Sequence, residues 1–162
     1  MRRRSLGESL EKYVVDIGVL AEYIVRSSPY RSTVEKLLDD ALKNSVELYI
    51  TPITVSEVIP VASRLYELAR IENPNEEALN FVKWLTVRIE IAEVTPEIAL
   101  EAGELRKKLR IALSDCYVIV TAIKLHAKAL FLKPEKEMLN RVKELRELPL
   151  AFLTETKGLE SS

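Results

Sequence analysis

Glutamine is missing from this chain of 162 residues, and histidine, cysteine and tryptophan occur once each. A single cysteine, Cys116, rules out an intrachain disulfide framework and makes a reducing interior the default compartment. A single histidine, His126, leaves no companion for a histidine metal site. It also leaves a Ser-His-Asp triad without support, since no nucleophile-elbow motif occurs. Four glycines do not assemble a phosphate-cradling loop, because neither G-x-G-x-x-G nor G-x-x-x-x-G-K-[ST] is present. No apolar run reaches the ~18 residues of a membrane span. The basic start, Met1-Arg2-Arg3-Arg4, runs into Gly7-Glu8-Ser9 instead of an apolar stretch, which makes it a poor signal peptide. Excess charge is lacking too: 24 Lys+Arg stand against 25 Asp+Glu, so a globally basic nucleic-acid binder is excluded. The expectation is a cytoplasmic protein with no membrane association.

What remains is 48% hydrophobic and 30% charged, enough apolar surface for one real core in one domain. Only four of the 25 acids are aspartates, namely Asp16, Asp39, Asp40 and Asp115. Glutamate and lysine in excess of the amide residues is a composition reported for hyperthermophiles.

Strand and helix signals alternate along the chain. Tyr13-Val14-Val15 reads as a strand and Val19 to Val25 as a helix. Ser32-Thr33-Val34-Glu35 has capping-box spacing, and Val34, Leu37, Leu38, Ala41 and Leu42 then repeat on one helical face. Leu48-Tyr49-Ile50 reads as a strand, Thr54 to Leu68 as a helix bent near Pro60, and Asn73-Pro74-Asn75 as a turn into a helix around Leu79, Val82 and Leu85. Val87, Ile89 and Ile91 alternate with Arg88 and Glu90 as in a strand. Thr95-Pro96-Glu97 supplies a cap, a proline at the first helical position and an acid in the first turn. Asp115 to Leu125 is apolar almost all round, which predicts a helix buried on most sides, carrying His126 as a structural residue near its end and Cys116 as a small buried hydrophobe. Ala129 to Leu132 and Leu150 to Leu153 are two further strands. This alternation predicts an α/β fold, three layers deep, with a central and mostly parallel sheet. Residues 1–11 are expected to form a flexible basic arm, 12–155 the folded domain and 156–162 a flexible tail. Trp84 with Phe81 is expected in the core or against a partner helix.

The ends of such strands are where parallel folds bind ligands, and acids collect there. Asp16 closes the first strand, Glu57 follows the second, Asp115 opens the apolar helix, and Glu135 and Glu137 follow the Ala129–Leu132 strand. Like charges that converge repel one another unless a cation intervenes. All-oxygen ligation suits Mg²⁺ or Mn²⁺, which bind phosphate oxygens and activate water. Each acid also has a plainer role open to it. Thr54-Val55-Ser56-Glu57 is itself a capping box, Asp16 and Asp115 stand where helices begin, and Glu135 and Glu137 belong to a charge run with Lys133 and Lys136.

Taken together, these segments resemble the PIN-domain ribonucleases, in particular the VapC-type toxins of archaea and bacteria. Tyr13 to Leu20 looks like the family's opening strand and first acid, and Ile53 to Val58 is similar to the segment carrying the second. Thr95 to Leu109 resembles the helix before the third, Ser114 to Ala122 resembles the third-acid helix closely, and Ala129 to Glu137 resembles the fourth-acid strand and turn. The resemblance implies a metal-dependent endoribonuclease, with Asp16, Glu57, Asp115 and Glu135 as catalytic metal ligands and Glu137 as a secondary one. It also implies a homodimer silenced by a cognate antitoxin. Two departures stand out. Ile17 and Gly18 replace the hydroxyl or amide residue usual after the first acid, leaving Ser56 and Ser114 as nearby hydroxyls, and Pro134-Glu135 replaces the usual fourth aspartate. A degenerate domain that holds RNA or a protein partner without cutting is the alternative. A receiver-like domain with Asp16 as phosphoacceptor is a more remote one.

Charge by segment suits either a phosphate-backbone contact or an ordinary solvated helix face. Residues 105–146 hold eleven Lys+Arg against four acids, while residues 1–104 hold twelve against eighteen. Neutrality is thus a cancellation, and Arg106, Lys107, Lys133 and Lys136 are candidate phosphate contacts beside the last two acids.

Overall fold

The computed structural model describes residues 9–156; residues 1–8 and 157–162 of the expected arm and tail lie outside the described residues. The chain runs β1 (Lys12–Val15), α1 (Ile17–Ile24), α2 (Arg31–Leu42), β2 (Glu47–Ile50), α3 (Pro52–Leu68), α4 (Pro74–Thr86), β3 (Glu90–Ile91), α5 (Pro96–Leu109), α6 (Leu113–Lys124), β4 (Lys128–Phe131), α7 (Lys136–Leu139), α8 (Val142–Arg146) and β5 (Leu150–Phe152). All the strand pairings are parallel, in the order β3-β2-β1-β4-β5.

Alternation along each strand divides the core. Tyr13 and Val15 of β1, Leu48 and Ile50 of β2 and Leu130 of β4 point into one apolar layer, built with Leu20, Leu38, Val58 and Leu85 from α1 to α4. Val14, Ala129 and Phe131 point the other way, against Ile98, Ile111, Ile119, Met138 and Leu145. Both faces of the sheet are therefore covered, which is the condition under which short parallel strands persist as near-continuous apolar runs. Trp84 and Phe81 belong to the first layer: Trp84 stacks on Tyr23 with ring centroids 4.9 Å apart, and Arg88 covers its outer face at 3.7 Å.

Several local expectations are corrected. The Ser32–Glu35 capping box is not formed, because α2 starts at Arg31 behind Tyr30 and makes no side-chain cap. Helix α3 starts at Pro52, two residues before Thr54. Its cap is Thr51, whose Oγ1 accepts from the Thr54 amide at 3.0 Å. The strand read over 87–91 shrinks to Glu90–Ile91, since Val87 and Arg88 close the end of α4. His126 is exposed and left-handed, with φ 53°, just past the end of α6, where it terminates the helix rather than packing inside it. Cys116 is buried, and burial pushes its thiol up to about 11.

The strand order reverses at β1, which lies between β2 and β4. In open parallel sheets, the crevice outside the carboxyl ends of the strands at such a switch point is the place where ligands bind. Here the residue following β1 is Asp16, and its amide donates to the Leu130 carbonyl of β4 at 3.0 Å.

Candidate functional site

Asp16 is held by the start of its own helix. As the N-cap of α1 it has extended backbone, and its Oδ2 accepts from the Gly18 amide at 3.0 Å. The capping role open to it in the sequence is thus realised, yet it does not account for the whole carboxylate. The side chain is 5% exposed. Burial, with repulsion from Glu135, pushes it up to about 6 despite the amides of Gly18 and Ile17 that favour the charged form. The glycine is functional in a steric sense: a Cβ at position 18 would stand 3.1 Å from Asp16 Oδ2. The acid followed by Ile-Gly is the sequence signal for this backbone support, and a search for polar side chains passes over it.

Glu57 lies in the second turn of α3, too far in to cap it, so Thr51 removes the capping explanation for this acid. Its Oε1 is buried with no hydrogen-bond partner. Burial, with repulsion from Asp16 and Glu135, disfavours its charged form and holds its pKa above the usual glutamate value, opposed by the nearby Ser114 hydroxyl.

Asp115 sits in the first turn of α6 and is 5% exposed. A helix N-terminus favours an anion by about 0.3–1 kcal/mol, which is small against what opposes it. Burial first, then Asp16, Glu135, Glu57 and Glu137, push Asp115 up to about 8. The charges acting on it are all negative. A buried carboxylate surrounded by four others is a poor structural device and a good cation ligand.

Glu135 is the exposed N-cap of α7 but makes no side-chain cap, and Glu137 is exposed in its first turn. Both act electrostatically on Asp115, and only Glu135 also acts on Asp16 and Glu57. The fold therefore brings Asp16, Glu57, Asp115 and Glu135 to one edge of the sheet, with Glu137 on its margin. Among the described residues, no three His, Cys, Asp or Glu side chains are yet drawn together tightly enough to hold an ion unaided. Of the four basic candidates, Lys107, Lys133 and Lys136 are exposed and make no ion pair with a described residue. Arg106 is also exposed, but its guanidinium donates to the Ile111 carbonyl and so braces the loop between α5 and α6.

Residues 13–145 match the family model described as PIN domain. The chain belongs to the PIN-domain family. Its fold is similar to that of VapBC2 from Rickettsia felis, solved bound to a DNA fragment from its promoter. That match has a TM-score of 0.61 and 18% identity, and it covers 87% of this chain and 98% of the other. VapBC-1 from nontypeable Haemophilus influenzae gives a TM-score of 0.60 at 17% identity, covering 89% of this chain and 99% of that one. A toxin–antitoxin complex from Klebsiella pneumoniae gives 0.54 at 18%, covering 79% and 89%. At these identities the likeness is one of fold. No curated protein matches the sequence.

PIN domains are generally nucleases that use divalent metal ions. The residues at this edge fit such an ion by their chemistry: an all-carboxylate donor set, mutual repulsion that a cation would relieve, and an unpartnered Glu57 oxygen. No helix among the described residues is long and apolar enough to cross a membrane.

Proposed function

We propose that this PIN domain is a metal-dependent endoribonuclease that hydrolyses RNA phosphodiester bonds, the toxin of a toxin–antitoxin pair. The observation that carries the reading is Asp115, a buried acid in the electrostatic reach of Asp16, Glu57, Glu135 and Glu137, with no basic side chain among the described residues that acts on it. Asp16, Glu57, Asp115 and Glu135 would hold Mg²⁺ or Mn²⁺, with Glu137 as a secondary partner. When bound, the ion supplies charge to the phosphodiester transition state and acidifies a water. One carboxylate of the cluster would accept a proton from the attacking water, and Lys107, Lys133 and Lys136 would hold the RNA backbone by charge. The fold likeness to VapBC proteins supports an antitoxin partner; that this antitoxin covers the acidic edge and that the working unit is a homodimer belong to the same proposal.

The purified chain, given single-stranded RNA in Mn²⁺ or Mg²⁺, is expected to cut it and to stop in EDTA. Asp115→Asn should abolish cutting. Full cleavage by that variant sinks the assignment. The second reading, a domain that binds RNA or a partner without cleaving it, is favoured by the absence among the described residues of three acids already gathered at an ion. RNA binding without cleavage, and without an Mn²⁺ site at millimolar concentration, would select it.

A further inference from the structure

All the described strands run in one direction, so the sheet has two unlike edges. The acids occupy the carboxyl edge. At the opposite edge, where β1 and β4 begin, lies a cavity of about 620 Å³ that the nuclease reading does not use. Lys12 in its wall and Asp16 stand at the two ends of β1, roughly 13 Å apart at ~3.3 Å per residue. Cavities of about 300–1,000 Å³ are those that take small molecules.

Its walls divide by chemistry. Leu10, Ala127 and Pro149, with Ile123 of α6, give an apolar lining. Ile123 is 40% exposed, a large apolar side chain left open to solvent at a helix end. Lys12, His126 and Lys128 are the basic groups of the wall and Glu11 is its acid. Two of these are already engaged: Glu11 accepts from the Tyr13 hydroxyl at 3.0 Å, and Lys12 lies 3.7 Å from Glu47. His126 and Lys128 are exposed and make no ion pair with a described residue. The uncommitted groups of the cavity are therefore donors, and their complement is an anion with an apolar body.

The His126 imidazole is dispensable to the fold. The end of α6 is a Schellman motif, in which the Ala127 amide donates to the Ala122 carbonyl at 2.9 Å and the His126 amide to the Ile123 carbonyl at 3.3 Å. The left-handed position of such a motif suits glycine, and His126 occupies it with φ 53°. Arg70 and Arg110 stand in the same conformation in this glycine-poor chain, so the conformation alone assigns nothing; what matters is that the side chain opens onto the cavity.

We propose that this cavity is a binding site for small amphipathic anions, with a free carboxylate, sulfonate or phosphate ester at Lys128 and His126 and an aromatic or alkyl body against Ile123, Leu10, Ala127 and Pro149. Binding there is independent of the acidic edge and of any metal.

The probe is anilinonaphthalene sulfonate, an aromatic body with one anionic group, titrated into the full chain by fluorescence and calorimetry in EDTA. One saturable site is expected, unchanged by Mn²⁺. Lys128→Glu and His126→Gly should each weaken binding by about 10-fold or more, the equivalent of one hydrogen bond to a charged group. Ile123→Asp, at an exposed position, should abolish it. Melting should give His126→Gly a Tm equal to or above that of wild type, because glycine relieves the left-handed backbone, and it checks that the other variants are folded. The uncharged phenylnaphthylamine should bind wild type more weakly than the sulfonate does, and bind Lys128→Glu as well as wild type. Leu68→Asp changes a leucine that is 63% exposed on α3 and lies outside the cavity wall, and it should leave the titration as it was. No saturable binding at millimolar dye, wild-type affinity in both Lys128→Glu and His126→Gly, or a loss caused by Leu68→Asp instead of Ile123→Asp overturns the proposal. RNA cleavage is measured separately, so the nuclease reading stands or falls on its own.

Discussion

Replacing Asp115 by asparagine should stabilise the metal-free protein while destroying its activity. Asp115 is 5% exposed in the folded chain, and burial plus the repulsion of four acids raises it from 3.8 to about 8. In the unfolded chain the same carboxyl ionises at about 3.9. Between these values the folded state retains a proton that the unfolded state releases, so stability falls as pH rises from about 4 to about 8. Each tenfold in an ionisation constant is worth about 1.4 kcal/mol, which makes the full displacement roughly 6 kcal/mol. Part of that is repulsion shared with neighbouring acids that remain in the variant, so asparagine should recover about 2–4 kcal/mol near pH 7.5. For a domain of this size the gain corresponds to a Tm rise on the order of 5–15 °C. Calorimetric melting of both proteins in EDTA at pH 4, 5.5 and 7.5 reads the effect directly. The Tm difference should be close to zero at pH 4 and grow with pH. Asp16, raised from 3.8 to about 6 by burial and Glu135, adds a dependence of the same sign. Saturating Mn²⁺ should narrow the gap, since a ligand at 100 times its Kd adds about 2.7 kcal/mol to the protein that binds it. A Tm difference of equal size at pH 4 and 7.5, or a variant less stable than wild type at pH 7.5, would refute the reasoning.

Three other outcomes follow from the same geometry. Lys133→Ala and Lys136→Ala should each weaken RNA binding and lower the salt slope of log K by about 0.7, whereas Arg106→Ala, which removes the brace on the Ile111 carbonyl, should leave the slope alone and lower stability by about 1.5–3 kcal/mol; binding titrations over a salt series and urea melts separate the two. Thr51→Ala should cost about 0.5–2 kcal/mol through loss of the α3 cap at Thr54, measured by urea unfolding. Gly18→Ala places a methyl 3.1 Å from Asp16 Oδ2 and should weaken Mn²⁺ binding by calorimetry while helix propensity keeps Tm near that of wild type; unchanged affinity would show that the carboxylate does not need its present seat.

Much of the layer structure was legible because apolar residues carry their period openly. Tyr13-Val14-Val15 and Ala129-Leu130-Phe131 are strands buried on both faces, and the two-residue alternation fixes which side chain enters which layer. The helix of Thr95-Pro96 is fixed by local chemistry, with Thr95 Oγ1 accepting from the Ile98 amide at 3.2 Å. Capping boxes were less reliable guides, because S/T-x-x-E spacing recurs by chance within amphipathic helices. Both Ser32–Glu35 and Thr54–Glu57 lie inside helices that began earlier. That error matters for function, since it offered Glu57 a structural role that Thr51 in fact performs.

The sequence by itself determined that a parallel α/β domain would form and that its acids would follow strand ends or open helices, since hydrophobic period and chain order suffice for both. Tertiary structure alone decided which of these charges feel one another, because repulsion and desolvation depend on distance and burial rather than on position in the chain. It put Asp16 at the switch point between β1 and β4, left a Glu57 oxygen unpartnered, committed Arg106 to a loop carbonyl and spent the Ser56 hydroxyl on its own helix. Acids contributed by separate helices and strand ends leave no periodic trace in sequence, and only packing brings their charges within reach of one another.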